Sequence, residues 1–469
     1  VLLALTMKAR ISIWLATQGY RFAGVVAYPA LPFVYRVRAR KGKEERDRRA
    51  ERFGRASVAR PAGPLVWVHS ASVGETLAVA PMMEKIAALG IHVLLTTGTV
   101  TSAKLAAERF GDQVIHQYVP FDVPRAVARF LDYWRPDVAI NVESEIWPTT
   151  MAQLSKRNIP QIFVNGRISD RSYARWLKRR DLARSLFSQI TSVLAQSDLD
   201  GERFRDLGAM RVSVTGNLKV DRDPPSADEA VLARLRAEIG DRPVWAGIST
   251  FEGEEKAVAN VHRVLKSRVP GLLTVIVPRH PERCDQLAAL FEAKGLNVIR
   301  RSEGKAITPE TDILLGDTMG EMGLYLRLAR IAFVGRSLTA TGGQNPLEPA
   351  MLGIAIISGP NVQNFQEAYQ RLRAAGAART ADTVEQLARN VYQLFTAEKA
   401  RDDMVVAGYR TVEVMRGALA ETMKHLDRHL SPLVLEARLS ARRALQGGGV
   451  ASADADRDSS VHGRMRASR

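Results

Sequence analysis

The sequence predicts two doubly wound α/β domains in series. Three observations carry that expectation. The chain has 469 residues, too many for one ordinary core and suited to two globules of roughly 200 residues each. From residue 64 onward, short apolar runs alternate with amphipathic helical segments, and the alternation stops and restarts once. Unusual polar residues gather where those apolar runs end, which is where open parallel sheets bind ligands.

Taken in chain order, the first element is an apolar and aromatic stretch, "ISIWLATQGYRFAGVVAYPALPFVY", at residues 11–35. It holds one charge, Arg21, and is long enough to span a bilayer, which takes about 20 apolar residues. Gln18, Pro29 and Pro32 weaken a clean spanning helix. No small-residue cleavage pattern follows, which argues against a secretory signal. The next stretch, residues 36–60, is densely basic with a few interleaved acids. Apolar then basic is the order of a membrane anchor with its positive side in the cytoplasm, spanning or interfacial. The alternative is a helix packed on the body of the protein. Residues 1–60 are therefore set apart as a membrane-proximal segment.

Residues 61–222 read as the first domain. "PLVWVHS", "IHVLLTTG", "DVAINVES", "PQIFVNG", "TSVLAQS" and "MRVSVTGN" have the continuous apolar character of strands buried on both faces. Helical patterns such as "ETLAVAPMMEKIAALG" lie between them. Pro81 inside that segment predicts a kink or a later helix start. The stretch 221–240, with paired prolines and charge, marks the junction. The second domain, residues 223–430, repeats the pattern with "PVWAGIST", "GLLTVIVPRH", "LNVIRR", "TDILLGD", "RIAFVGRS" and "IAIISG". Long helices over 384–430 close the chain and are expected to pack back across the junction. The tail 446–469 lacks apolar periodicity and reads as disordered.

Composition narrows the function. The formal charge is +17 and the isoelectric point near 10.2, a balance that attracts polyanions: nucleic acid, anionic membrane or phosphorylated substrates. The one cysteine, Cys284, permits no internal disulfide. No Cys/His cluster offers a zinc site. There is no G-x-G-x-x-G dinucleotide fingerprint and no G-x-x-x-x-G-K-[ST] phosphate loop, which argues against NAD enzymes and P-loop NTPases.

The strand ends supply the candidate site. "HSASVGET" places Glu75 just after Gly74 where a strand meets a helix, either as an acid settled by the helix dipole or as a base. "NVESEIWP" supplies Glu143 and Glu145. "TVIVPRHPER" runs a strand into Pro278 and Arg279, whose planar fork can grip phosphate; a surface ion pair is the alternative. In "GDTMGEM", Met319, Gly320 and Glu321 precede a helix whose N–H groups suit an anion, although a glycine there also serves ordinary turn geometry. In "GGQNPLEPAMLG", Pro346 can occupy a first helical turn, Asn345 lies beside it, and Glu348 is placed to accept from a ribose diol or to cap the helix. "YARWLKRRDLARSLF", residues 173–187, can bury Trp176, Leu177, Leu182 and Phe187 in a membrane surface while its basic residues stay wet. An ordinary domain helix explains it equally well.

"HSASVGE", "ESEIWP", "NGRIS", "STFEGEE", "PRHPER", "GDTMGE" and "GGQNPLEPA", in this order, resemble the 3-deoxy-D-manno-octulosonic acid (Kdo) transferase family of lipopolysaccharide synthesis. "ERFG" at residues 51–54 resembles the short basic motif after that family's membrane-proximal segment. The match covers roughly residues 10–430. The resemblance implies a GT-B glycosyltransferase, with two Rossmann-like domains facing a cleft, at the cytoplasmic face of the inner membrane. It implies an acceptor domain first and a CMP-Kdo domain second. It implies CMP-Kdo as donor substrate, a lipid A precursor as acceptor, inversion at the anomeric carbon, and no metal, cofactor or nucleic-acid partner.

By the same resemblance Glu75 is the catalytic base, with Glu143 or Glu145 holding the acceptor or supporting the base. Pro278, Arg279, Met319, Gly320, Glu321, Asn345 and Glu348 belong to the CMP site, and Glu348 is assigned to the ribose. Arg36–Arg60 would face anionic headgroups. Two positions depart from the family, which commonly has histidine where this chain has Phe251 and Gln344; no chemistry is assigned to either. Another GT-B transferase of envelope glycolipid synthesis with a different nucleotide sugar, or an inactive basic membrane scaffold, are the competing readings.

Overall fold

A computed structural model of the chain describes residues 18–20 and 22–458, with side chains as far as residue 440. Two compact units emerge. One comprises the described residues up to Arg222 together with those from Gly417 onward; the other is Asp223–Arg416.

The first unit is built on a seven-stranded parallel sheet in the order β3-β2-β1-β4-β5-β6-β7. The strands are β1 (Leu65–Ser70), β2 (His92–Thr97), β3 (Ile115–Tyr118), β4 (Val138–Val142), β5 (Gln161–Gly166), β6 (Ser192–Ala195) and β7 (Val212–Val214). The second unit carries another seven-stranded parallel sheet, ordered β10-β11-β9-β8-β12-β13-β14. Its strands are β8 (Val244–Thr250), β9 (Leu273–Pro278), β10 (Val298–Arg300), β11 (Ile313–Leu315), β12 (Ile331–Val334), β13 (Ala355–Ser358) and β14 (Ala378–Thr380). Each sheet reverses its winding once, between β1 and β4 and between β8 and β12. A crevice opens at such a point, because the two flanking connections leave toward opposite ends of the sheet.

The central strands β1, β4, β9 and β12 are buried at every position and mostly apolar because helices cover both faces. Each sheet also carries on a central strand one buried tryptophan that needs a partner for its N–H. Trp67 Nε1 donates to Thr96 Oγ1 at 2.8 Å and Trp245 Nε1 to Thr274 Oγ1 at 2.7 Å, in each case on the neighbouring strand. The expected strands all form. The two that sequence reasoning omitted, β3 and β14, are short edge strands with mixed polarity, "IHQY" and "ART".

Several expectations need correction. The helix Val73–Ala88 begins ahead of Pro81 and continues past it, so of the kink and the later start considered the later start is ruled out; Val79, Ala80, Met82 and Met83 around the proline are buried, and their packing outweighs one missing backbone bond. The closing helices do not act together. Those at Val384–Thr396 and Glu398–Met415 stay with the second unit, while the helix starting at Ala418 joins the first. Leu426, Leu430 and Leu433 on that last helix share a core with Val79, Met83 and Ile86, and Asp221 accepts from Gly417 N at 2.8 Å and from Leu419 N. The same helix extends to Asp458, beyond Gln446, where a disordered tail was expected. Adding residues to an established helix is far easier than nucleating one.

The N-terminal stretch expected as an anchor lies partly outside the described residues. Among the described residues no helix is long and apolar enough to cross a membrane. The basic stretch 36–60 is not uniformly free for headgroups. Arg52 donates to Glu44 at 2.9 Å, to Gly98 O at 2.7 Å and to Val119 O at 3.2 Å. Arg60 donates to Trp134 O at 2.7 Å. Glu51 is fully buried and accepts from Tyr118 N at 2.7 Å, Arg48 Nε at 2.9 Å and Ser57 Oγ at 2.6 Å. "ERFG" is thus a clasp on the edge strand β3. The side chains of 173–187 likewise turn inward: Trp176 meets Phe187 edge to face at 5.6 Å, and Phe187 is buried in a core with Phe163 and Phe204. An internal role replaces the membrane role considered for them.

Replacing Glu51 by alanine leaves the Tyr118 N–H without its partner in a dry site. The expected cost is roughly 3 kcal/mol, read as a drop of several degrees in the thermal transition. An unchanged transition would show that the clasp contributes nothing.

Candidate functional site

In the first unit the residues after β1 and β4 form the site. Ser72 caps the helix Val73–Ala88, its Oγ accepting from Glu75 N at 3.4 Å. Glu75 replies: Ala71 N donates to its Oε2 at 2.7 Å and Ser72 Oγ to its Oε1 at 2.9 Å. This is a variant of the reciprocal capping box, with the N–H of Ala71 in place of that of the cap residue. Its S-x-x-E signature is readable in "SVGE", though sequence reasoning weighed only the dipole and a base. The cap fixes the carboxylate's direction without hiding it. Glu75 is half-buried, and its carboxyl is raised above the ordinary value, first by burial and next by the charge of Glu143, against the lowering bonds from Ala71 and Ser72.

The structure separates the two other acids. Glu143 ends β4 with a left-handed backbone, φ 58°, and pairs with Lys219 Nζ at 2.5 Å. Asn165 Nδ2 approaches the same oxygen at 3.5 Å, while Asn165 Oδ1 accepts from Leu218 N at 3.0 Å, which places Lys219. Glu145 accepts from Trp147 Nε1 at 2.9 Å. His69 Nε2 lies 3.7 Å from Glu145, an electrostatic contact longer than a hydrogen bond. Burial would raise the Glu145 carboxyl, but His69 and Trp147 outweigh it and hold it low. Glu143 is therefore the acid whose charge bears most on Glu75, and Glu145 is a fixed carboxylate. Lys219 was missed because nothing in "GNLKV" marks it; its place follows from Asn165 in the "NGRIS" motif.

In the second unit the residues after β8, β9 and β12 assemble around a buried carboxylate. Glu254 has no exposure and accepts from Phe251 N at 2.9 Å, Arg336 N at 2.6 Å, Ser337 N at 2.8 Å and Leu338 N at 2.9 Å. Its neighbour Glu255, also buried, pairs with Arg283 at 2.6 Å, which ties in the "PRHPER" turn. Neither role was legible, since "STFEGEE" reads equally well as an acidic helix start. Pro278 closes β9, and Arg279 N donates to Thr250 O at 2.9 Å, leaving the Arg279 side chain exposed.

Met319 is 72 % exposed and Gly320 adopts φ 84°. Glu321 caps the short helix Met322–Leu328 and is held by Arg301 at 2.9 Å and by Thr318. Its carboxylate thus anchors its own loop. Asn345 caps the turn at Leu347, accepting at 3.1 Å, and its Nδ2 donates to Glu348 at 3.2 Å. Pro346 is the cap of the helix Leu347–Met351, with Glu348 in its first turn. Gly342 and Gly343 both have positive φ, and a Cβ on Gly343 would meet the backbone at Val362 at 2.8 Å, so that loop needs glycine. The side chain of Phe251 packs edge-on against His280, with ring centroids 5.6 Å apart. Gln344 contributes its carbonyl to buried Tyr369 at 3.1 Å.

Among the described residues, six that are not glycine have positive φ, and Glu143, Asn165, Ser249 and Arg336 of these lie at carboxyl ends of strands. Backbone strain concentrated there is typical of sites where a side chain must be aimed. Among the described residues no group of three or more His, Cys, Asp or Glu is arranged to hold a metal ion.

Comparison with known proteins supplies the family. A family profile described as 3-deoxy-D-manno-octulosonic-acid transferase (kdotransferase) matches residues 47–222. The chain is 35 % identical over 399 residues to a 3-deoxy-D-manno-octulosonic acid transferase of Haemophilus influenzae, covering 83 % of this chain and 93 % of the relative. It is 36 % identical over 390 residues to the Bordetella pertussis enzyme of the same name, covering 80 % and 90 %. Among solved structures a glycosyltransferase from Rickettsia africae aligns over 79 % of this chain and 99 % of its own, with TM-score 0.53 and 12 % identity, a likeness of fold. The two parallel seven-stranded sheets are those of the GT-B class, and the chain belongs to the Kdo transferase family.

Proposed function

We propose that this glycosyltransferase moves Kdo from CMP-Kdo to a sugar hydroxyl of a lipid A precursor, a tetraacylated disaccharide phosphate, with inversion and without a metal ion. The observation that carries the reading is Glu75: a half-buried carboxylate, aimed by its capping box, with its pKa raised by burial and Glu143. A sugar hydroxyl is a poor nucleophile until a base within hydrogen-bond reach takes its proton. In the proposed step Glu75 accepts that proton as the hydroxyl oxygen bonds to the anomeric carbon. The bond from that carbon to the phosphate oxygen breaks, and CMP leaves with the electron pair. Single displacement inverts the centre. Arg279 is assigned to the leaving phosphate, supplying the positive charge that a cation would otherwise bring. Asn345 and Glu348, coupled to each other, are assigned to the nucleoside, with Glu348 on the ribose diol. Pro278, Met319 and Gly320 shape that pocket by backbone and bulk.

The acceptor is lipid-linked, so we place the protein on the cytoplasmic face of the inner membrane. In support, Phe22, Val25, Val26, Phe33, Val34 and Val37 are exposed apolar residues beside exposed Arg36, Arg40, Lys41 and Lys43. An amphipathic surface of this composition suits an anionic interface.

Glu75→Gln keeps an oxygen for Ala71 N but cannot take a proton. Transfer is expected to fall by more than about 100-fold while CMP binding is retained; turnover near the wild-type rate would remove Glu75 from the mechanism. Because the fold raises this carboxyl, it gains a proton on acidification sooner than a free glutamate. The acid limb of kcat/KM is therefore expected above the ordinary value of about 4.3, and a limb at or below that value would contradict the assignment. Flotation with vesicles containing anionic lipid should weaken when Phe33 and Val37 are both changed to aspartate. It should also weaken with salt, each basic residue near the surface contributing about 1 kcal/mol. Undiminished flotation of the variant would move the contact elsewhere.

A further inference from the structure

Arg336 follows β12 at the point where the second sheet reverses its winding, directly across from the end of β8. Its backbone is left-handed, φ 55°, a conformation that favours glycine and that other residues adopt at a cost. Everything around it preserves that conformation. Glu254, fully buried, accepts from Arg336 N at 2.6 Å and from Phe251 N at 2.9 Å through the same oxygen. Arg336 O accepts from Gly343 N at 2.7 Å, and Arg336 Nε donates to Thr341 O at 3.1 Å. Gly335 lets the two strand ends close in, since a Cβ there would lie 2.6 Å from Ser249 O.

The guanidinium lies over the ring of Phe251, 5.1 Å from its centroid. The other side of this cluster is His280, edge-on to the same ring, and Arg279 precedes it. Arg279 N bonds to Thr250 O, beside Phe251, so the backbones of both arginines are anchored next to this aromatic ring. Among the described residues no carboxylate pairs with either: the Arg336 side chain spends only Nε on the protein. A guanidinium whose outer nitrogens are unspent, whose backbone is held in a strained form by a buried acid, and whose plane rests on an aromatic face is a prepared anion grip.

We infer that Arg336 is a second anion-binding residue of the donor site, acting beside Arg279, with Phe251 as the platform that aims it. The inference rests on the proposed CMP-Kdo reading. That donor carries two anionic groups, the phosphodiester and the carboxylate of the sugar acid, so a site with one arginine leaves one of them without a cation. Phe251, to which the sequence assigned no chemistry, acquires a purpose: an aromatic ring holds a guanidinium by its face and leaves the N–H edge free for ligand.

The test titrates CMP and CMP-Kdo into the full chain by calorimetry, with wild type, Arg336→Gly, Arg336→Gln and Phe251→Leu. Arg336→Gly removes the side chain and relieves the left-handed backbone, so it is expected to melt no lower than wild type. Arg336→Gln keeps a shorter polar side chain on the same left-handed backbone without the charge. Both should weaken CMP-Kdo binding about tenfold or more, the loss expected for a charge-assisted contact. Phe251→Leu should weaken it severalfold. A loss seen with both ligands puts Arg336 on the phosphate; a loss with CMP-Kdo alone puts it on the sugar carboxylate; either outcome supports the assignment. Wild-type affinities for both ligands in Arg336→Gly and Arg336→Gln would overturn it while leaving the functional reading intact. Failure of the wild type to bind either ligand would overturn the functional reading and this assignment with it.

Discussion

Glu254 accepts four backbone N–H bonds, and among the described residues no lysine or arginine pairs with it. Four donors on one buried carboxylate stabilise its charge as well as an ion pair would, and they do so with groups that cannot swing away. The consequence is mechanical. The loops after β8 and β12 leave the sheet toward opposite sides, and a crevice between them would otherwise be free to widen. Glu254 fixes its width, and Glu255, through Arg283, fixes the turn after β9 in the same frame. Arg279, Phe251 and Arg336 inherit their positions from these two buried acids.

The first unit solves the equivalent problem differently. There the acid that ties the strand end to the helix is the reactive candidate itself. Glu75 spends hydrogen-bonding capacity on Ala71 and Ser72, which lowers its basicity, yet burial and Glu143 raise it by more. The Lys219 ion pair tempers Glu143 and keeps two acids tolerable in one place. The proposed base at a helix start is workable because a second acid and partial burial offset the dipole. The opposing influences are local, so both uses of Glu75, cap and base, are compatible.

Much of this was legible in the sequence, for identifiable reasons. Mostly apolar strands such as "LVWVHS" and "LTVIVP" announce themselves, because burial on both faces favours apolar residues. β3 and β14 did not, since edge strands have one neighbour and carry mixed side chains. The polar strand ends were visible as motifs, but the partner of each charge was not. Arg52 and Glu51 look like an ordinary solvated pair in a basic run, and only the fold shows them buried against β3. Glu254 and Glu321 look alike as acids before helices. One is sealed by backbone N–H groups and the other is held by Arg301 and Thr318. Local sequence records which residue types meet a turn; long-range packing decides what they face.

In the proposed reaction an octulosonic acid unit leaves CMP and joins a lipid A precursor. Mass spectrometry of the product formed by the full chain from CMP-Kdo and a tetraacylated disaccharide phosphate tests it most directly. The account predicts a lipid heavier by whole Kdo units, with one CMP released for each unit added and no dependence on added divalent cation. An acceptor of unchanged mass, with CMP-Kdo either intact or merely hydrolysed, would contradict it.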